Sequence, residues 1–353
     1  MKTVVALPGE GIGIEVVEAT CELMTAAGMP LRILTPPQVE ASGAPVPEAT
    51  RRACREADGV LFGAAGPRTS AVVGWLRWEM NAWAGLRPAK FYAGMRSPLN
   101  DPMGIDLVVI RENSEGLYPG LEGDLADLKA ALPLRDRFGR GFERFGDGRF
   151  AVKVATRAGA ERIARFACEL ARQRQARGRP GKVACATKSN VLRESDGLFH
   201  RVVEEVVGRY PELTFEHFNV DDAARRLVRF PHAMDVVVCM NQYGDILSDI
   251  AAEAAGGLGV APSANYGDGG WAYFESVHGS APDIAGQGIA NPTAAILSVA
   301  LMLEHMGLGA EAARLEGAVA RVYRDGKVLT ADQGGTASTK EMAAAVLAAY
   351  RNQ

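Results

Sequence analysis

One junction constrains the fold of this chain more than any other. The run Asp235-Val236-Val237-Val238-Cys239 is followed at once by MNQYGDILSDIAAEAAGG at residues 240–257. The valines do not alternate with polar residues, so the run predicts a strand buried on both faces, as in parallel sheets covered by helices. Beyond it Ile246, Leu247, Ile250 and Ala254 recur at helical spacing, and Gly256-Gly257 end the helix. Asp245 and Asp249 are one turn apart, so both carboxylates project from one face. Taken alone, such acids complement the positive end of a helix dipole. Just past the carboxyl end of a buried strand, they also form the oxygen donor set that holds a hard divalent cation. The rest of the chain favours the second reading.

The pattern before this junction alternates strand and helix, which predicts an α/β protein. A strand over residues 3–7 leads through Pro8-Gly9-Glu10-Gly11-Ile12-Gly13 into a helix at about 14–27. The turn allows close approach of a ligand, but it lacks the spacing of the dinucleotide fingerprint, and a simple tight turn explains it as well. A strand near 32–34, a helix at 48–56 and a strand at 59–62 continue the alternation. Residues 75–86 read as an amphipathic helix ending before Pro88. This places Arg77 and Arg87 ten residues apart, ahead of Arg96 and of Arg111 at the end of a strand over 106–110. Converging guanidinium groups suit a ligand with more than one carboxylate; Arg96 reads as a solvated surface residue.

Residues 119–150 are Gly-rich and charged, which predicts an exposed arm or subunit contact. Helices at 158–175 and 196–207 and strands at 182–186 and 214–219 follow. Residues 263–270 lead to a short strand at 271–274, and three helices (292–305, 310–324, 339–350) close the chain. No internal repeat or low-complexity tract interrupts it.

The length of 353 residues allows a large core and two lobes. A net charge of −3 argues against nucleic-acid and membrane-surface partners. The five cysteines are widely spaced with no CxxC pair, which predicts reduced core thiols and a cytoplasmic location. No signal peptide opens the sequence, and no apolar stretch approaches the ~20 residues needed to span a bilayer.

Several motifs in a fixed order carry a resemblance that spans nearly the whole chain. They are LPGEGIG at 7–13, LR at 76–77 with LRP at 86–88, VIRENSEGLY at 109–118 and TKSNVL at 187–192. VDD at 220–222, NQYGDILSD at 241–249 and VHGSAPDIAGQGIANPTAAILS at 277–298 complete the set. With these the sequence resembles the β-decarboxylating dehydrogenases that act on isocitrate, homoisocitrate, 3-isopropylmalate and tartrate or D-malate. The resemblance implies a two-lobed α/β fold with a discontinuous first domain, residues 1–98 and 251–353, binding the cofactor. Residues 99–250 would form the dimerisation and substrate/metal domain, with the arm at about 119–150 as an intersubunit clasp.

The same resemblance implies roles for individual residues. Arg77, Arg87 and Arg111 match the arginines that grip the malate carboxylates. Tyr118 matches the tyrosine that protonates the product carbon, and Lys188 a lysine supplied by the partner subunit for the hydroxyl proton. Asp221, again from the partner, and Asp245 and Asp249 match the ligands of a catalytic Mg2+ or Mn2+. Glu275, His278, Gly279, Ala281, Asp283 and Asn291 match cofactor-contacting positions. Asp283, facing the adenosine ribose, implies NAD rather than NADP, since a carboxylate accepts from the ribose hydroxyls and repels a 2′-phosphate.

The substituent on substrate C3 would be read by Ser70, Ala71, Val73 and Gly74, with Val191 from the partner. Here the sequence departs from the family. It lacks the Asn of isocitrate enzymes and the Glu-x-x-Leu-Leu of isopropylmalate enzymes, and the short 66–77 segment is closer to homoisocitrate enzymes. Glu10 and Ile14 replace the Asp and Pro of the first motif, Ser276 replaces a Pro, and Trp75, Trp78 and Trp83 stand out as core packing or as a reshaped pocket. The implied activity is oxidative decarboxylation of a 3-substituted malate, homoisocitrate- or isopropylmalate-like. Tartrate, D-malate, isocitrate or another specialised malate is the alternative. A non-catalytic regulatory subunit would have lost ligands or the acid/base pair, all of which this chain keeps.

Overall fold

The computed structural model describes residues 1–38 and 46–353. The chain begins with alternating strands and helices: β1 (Lys2–Gly9), α1 (Ile12–Ala26), β2 (Leu31–Leu34), α2 (Glu48–Glu56) and β3 (Gly59–Ala64). A short α3 (Ser70–Gly74) widens into a π-helical turn, Trp75–Glu79, before β4 (Ala84–Lys90) and β5 (Asp106–Glu112). The arm holds β6 (Glu122–Asp124), α4 (Leu125–Ala131) and β7 (Arg149–Ala151), in which β6 and β7 pair antiparallel as a separate two-stranded sheet. Next come α5 (Arg157–Ala176), β8 (Lys182–Thr187), α6 (Ser195–Val207), β9 (Thr214–Asn219) and α7 (Val220–Arg229). β10 (Val236–Cys239), α8 (Asn241–Ala254), β11 (Pro262–Tyr266) and β12 (Ala272–Ser276) complete the sheet. Helices α9 (Thr293–His305), α10 (Gly309–Asp325) and α11 (Thr339–Arg351) end the chain.

Ten strands form one mixed sheet in the order β2-β1-β3-β12-β11-β4-β5-β10-β8-β9. The first four run parallel to one another, and so do the last four. Between these blocks β11 and β4 are antiparallel to their neighbours. All four residues of β10 are buried, as its unbroken apolar run predicts. Helix α9 is apolar on nearly every side because it lies between the sheet and α1 and α10. The last helix starts with a reciprocal cap between Ser338 and Glu341.

Helix placement on the sheet creates the site. On one face α1, α5, α6 and α9 cover a continuous core that includes Val4, Ile110, Val238 and Phe274. The opposite face carries two separate clusters. One packs α2 and α3 on β1 and β3 through Val5, Phe62, Val72 and Leu76; the other packs α7 and α8 on β5 and β10 through Val109, Val237, Leu227 and Leu247. The sheet between these clusters presents polar side chains: Glu275 from β12, Asn265 from β11, Arg87 from β4 and Arg111 from β5. On the other face a cavity of about 920 Å³ lies over the same strands, lined by Leu86, Phe166, Val260 and Leu297, with Arg177 and Glu304 among its residues.

One expectation is corrected. Residues 75–86 are not one helix: helical structure stops at Glu79, Asn81 adopts a left-handed φ of 50°, and the chain turns into β4. Arg87 and Pro88 therefore lie on a strand. Pro88 is tolerated because β4 pairs with β11 only through residues 84–86, so no ladder bond is lost on that side. Residues 262–266, to which the sequence alone assigns no element, form β11 between β12 and β4.

The cysteines match expectation. Cys54, Cys168, Cys185 and Cys239 are buried and Cys21 is partly so, all as free thiols. Burial pushes the Cys21 thiol up to about 11 and those of Cys54, Cys168 and Cys239 to about 12, so they are poor nucleophiles. Among the described residues, no helix is long and apolar enough to cross a membrane.

Candidate active site

The cleft is centred on Asp245, in the second turn of α8. One carboxylate oxygen pairs with Arg87 Nη1 at 3.2 Å and with Arg111 Nη1, and the other accepts from the Tyr118 hydroxyl at 2.7 Å. Arg87 also donates to Ser248 Oγ at 2.7 Å, and Arg111 Nε donates to Asn241 Oδ1 at 2.9 Å. Gly244 permits this approach, since a Cβ there would lie 2.6 Å from Arg111 Cβ. Asp249, one turn on, lies 4.0 Å from Arg87, and Arg77 lies 3.7 Å from Glu275 across the cleft. Asp245 and Asp249 thus share a cleft with Arg87 and Arg111, with Arg77 on its far wall.

Three cations so close are costly to bury. Arg111 is 1% exposed, and burial together with the charges of Arg87 and Arg77 lowers its guanidinium to about 10. Burial also works against charge on Arg77, but Tyr273 and Glu275 outweigh it and hold that group above its ordinary value. Asp245 is held below the usual carboxylate range because Arg111 and Arg87 overcome the effect of burial. Asp249 is raised by burial, which Arg87 only partly offsets. Tyr118 is raised too, by burial and by its bond to Asp245, so it keeps its proton at neutral pH. Arg77 Nε, Arg87 Nε and Arg111 Nη2 are buried donors without a partner among the described residues. Unused donors on buried cations favour an anionic ligand.

Lys188 and Asp221 pair with each other at 2.5 Å, with side chains 31% and 68% exposed. They follow β8 and β9, which lie two and three strands beyond β5. At a strand spacing of about 4.8 Å this separates them from the Arg111 strand by roughly 10–15 Å. Among the described residues, no three potential metal ligands of one chain come together. Asp245 and Asp249 are therefore grouped by α8, whereas Asp221 stands apart with Lys188. Val191 and Leu192, in the turn after Lys188, are exposed, as are Val228, Phe230 and Ile246 on α7, its end and α8.

Residues that the sequence did not single out hold the Lys188 turn. The buried carboxylate of Asp196 accepts from the Lys188 backbone N–H at 2.7 Å and pairs with Lys153 Nζ, which donates to the Tyr243 hydroxyl at 3.0 Å. The available signal was Asp196 itself, an acid at the start of a helix just after the TKSNVL motif. We expect Asp196→Ala to destabilise the fold by about 3–5 kcal/mol by stranding the Lys153 charge. Chemical denaturation of the two proteins checks this, and a change within error would contradict it.

Beyond β12, the Ile12 N–H donates to Ser280 O at 2.9 Å, which seats the 277–283 loop on the start of α1. Ala281 takes a left-handed φ of 38° in this loop. His278 is buried, its Nδ1 3.0 Å from Gly279 O, while its Nε2 has no partner among the described residues. Burial pulls its ring below the ordinary value, so the imidazole is neutral at pH 7. Gly279 and Asp283 are exposed. Asn291 donates to Tyr323 Oη and to Asp332 Oδ2, both at 3.0 Å, and Asp332 was not anticipated. Ser70 is exposed, with Oγ 3.2 Å from Pro67 O, and Val73 is half-buried. Trp75 packs in the core beside α2, Trp78 is exposed, and Trp83 stacks edge-on with Phe166. Arg96 is exposed, as expected.

Comparison with known proteins accounts for this arrangement. Residues 3–346 match the family described as isocitrate/isopropylmalate dehydrogenase. A 3-isopropylmalate dehydrogenase of Archaeoglobus fulgidus is 43% identical over 97% of this chain and 98% of its own length. An isocitrate/homoisocitrate dehydrogenase of Thermus thermophilus is 40% identical over 98% of each. The crystal structure of isocitrate dehydrogenase from Methylococcus capsulatus superposes with a TM-score of 0.86 at 36% identity, covering 99% of this chain and 100% of that one. Sequence and fold together define an oxidative decarboxylating dehydrogenase acting on a hydroxy acid. The chain belongs to the isocitrate/isopropylmalate dehydrogenase family.

Proposed function

We propose that the protein oxidises and decarboxylates a 3-substituted malate, with NAD and a divalent Mg2+ or Mn2+, as a homodimer whose active sites are shared. The observation that carries this reading is the trio Arg77, Arg87 and Arg111, each with a buried donor unused among the described residues, beside Asp245 and Tyr118. Two carboxylates of a malate would satisfy those donors and offset the mutual repulsion of the guanidinium groups.

The residues present fit both absent groups. Asp245 and Asp249 offer carboxylate oxygens from one helix face, the donor type a hard dication takes, and Asp221 of the partner would complete the set. The unpartnered His278 Nε2, the loop seated on α1 and the exposed Asp283 fit an adenine dinucleotide. When bound, the dication supplies Lewis acidity where enolate charge develops on the C2 oxygen, and the nicotinamide ring accepts the C2 hydride.

The chain's own residues do the rest. Arg77, Arg87 and Arg111 hold the carboxylates so that the C3 carboxylate can leave as CO2 while its bonding electrons pass toward C2. Lys188 of the partner takes up the hydroxyl proton as C2 is oxidised. Tyr118, protonated at neutral pH, delivers a proton to C3 and is recharged from solvent. Ser70, Val73 and Val191 would border the C3 substituent. We place the cofactor lobe at 1–98 and 251–353 and the dimerising lobe at 99–250. The arm's exposed Leu121, Leu132, Leu134 and Phe138 suit a subunit contact.

NADH formation with Mn2+ across a panel of 3-substituted malates, with and without chelator, tests the reading. Turnover that chelation abolishes is expected, and inactivity on every member would restore the regulatory-subunit alternative. NAD should be preferred over NADP, with Asp283→Ala narrowing the kcat/KM ratio by roughly tenfold or more. Equal kcat/KM for both cofactors in the unaltered enzyme would refute the role of Asp283.

A further inference from the structure

A single side chain, Glu10, joins two parts of the site that are far apart in sequence. Its Oε2 accepts from the Arg68 N–H at 2.8 Å and from the Thr69 N–H and hydroxyl at 2.9 Å each, and its Oε1 accepts from Arg68 Nε at 3.1 Å. The loop wraps so closely that a Cβ at Gly66 would lie 2.5 Å from Oε2. Thr69 is buried, and its hydroxyl oxygen also accepts from the Gly66 N–H at 3.0 Å. The Arg68 side chain is 82% exposed, so its ion pair contributes little; the two backbone N–H groups and the Thr69 hydroxyl hold the carboxylate.

These bonds fix the residues immediately before α3, whose five residues include Ser70 and Val73 and which leads into the turn carrying Arg77. A helix this short has no orientation of its own and takes it from the packing of Val72 on the sheet and from its tether. The other end of the tether is equally constrained. The Glu10 N–H donates to Ala64 O at 2.8 Å, and two residues on, Ile12 binds Ser280 in the 277–283 loop. The turn at Glu10 is therefore braced against the candidate cofactor loop on one side and holds the start of α3 on the other.

We propose that Glu10 is a positioning residue that sets which C3 substituent the enzyme accepts, by locking the start of α3 against the turn that seats the cofactor loop. The inference rests on the assignment of Ser70 and Val73 to the substituent pocket made above. Loss of the carboxylate frees α3 to shift, so the pocket wall moves while Arg87, Arg111, Tyr118 and Asp245, on other elements, stay in place. The effect therefore falls unequally on large and small substituents and enters mainly through KM.

The test compares the unaltered enzyme with Glu10→Ala, Glu10→Asp and Thr69→Val in NADH formation with NAD and Mn2+. The substrates are malate and its 3-methyl, 3-isopropyl and 3-carboxymethyl derivatives. We expect the kcat/KM ratio between the largest and smallest accepted substituents to change roughly tenfold in Glu10→Ala. Glu10→Asp and Thr69→Val should shift it less in the same direction, with kcat on the best substrate within about threefold of the unaltered enzyme. Thr69→Val removes two bonds, the hydroxyl's to Glu10 and that of the Gly66 N–H to the hydroxyl, and leaves the carboxylate in place, so it gives a readout even where Glu10→Ala folds poorly. A uniform fall on all substrates, or an unchanged profile in every variant, would overturn the proposal as a mere structural contact. Inactivity of the unaltered enzyme on all four malates would instead overturn the functional reading, and the proposal with it.

Discussion

Subunits carrying Lys188→Met and subunits carrying Asp245→Asn, each inactive alone, will regain about a quarter of the unaltered activity when they are mixed and allowed to re-pair. Lys188 is paired with Asp221 at the outer end of the sheet, strands away from the Asp245 cleft. If each cleft borrows its lysine from the neighbouring subunit, a mixed dimer holds one cleft with both defects and one with none. Random pairing puts half of all dimers in that state. Each parent should fall by about a thousandfold or more, one through loss of the proton acceptor and the other through loss of a metal-binding charge. Differently tagged subunits, unfolded and refolded together, supply the measurement. A mixture no more active than its two parents would show that the sites are not shared.

Arg111→Met should abolish useful turnover while leaving the fold as stable as before, or more so. Arg111 is almost fully buried, and its charge is opposed by Arg87 and Arg77. An apolar side chain of similar length removes that repulsion and the desolvation of one ion, while Asp245 keeps Arg87 and Tyr118 as partners. Replacing buried charges by well-packed apolar groups is often neutral or stabilising. The opposing cost is the Asn241 carbonyl left without its donor, about 1–3 kcal/mol. Activity has no such compensation if Arg111 grips a substrate carboxylate through its unused Nη2, and kcat/KM should then fall by about a thousandfold. Thermal unfolding and steady-state rates measured together decide the matter. Retained activity, or a large loss of stability with little loss of rate, would contradict the account.

The parts of the molecule that were legible in the sequence are those governed by local pattern. The buried valine run and the helix after it fall where their periodicity places them, because both faces of β10 and one face of α8 meet core. The helix assigned to residues 75–86 failed for a tertiary reason. Ala84-Gly85-Leu86-Arg87 has no strong strand signal, and becomes strand because β5 and β11 flank it. Residues 262–266, left without an element in the sequence, become strand for the same cause, between β12 and β4. Within the site, the motifs pointed to side chains but not to their neighbours. The bond from Asp196 to the Lys188 turn, the hold of Asp332 on Asn291 and the Glu10 cap on Thr69 join residues whose proximity is settled only by the folded chain. None has a spacing that announces it.

The two parallel blocks of the sheet meet through just two strands, β11 and β4, and the polar cleft and the opposite cavity lie on either side of that seam. Were the sheet to flex there, a mouth closing on one side would be matched by a mouth widening on the other. The Arg177–Glu304 ion pair, 2.6 Å long and bridging α9 to the end of α5 on the cavity side, lies across that opposite mouth. A closing of the cleft would stretch or break that pair, whose side chains are 68% and 48% exposed, so it would offer little resistance to shutting.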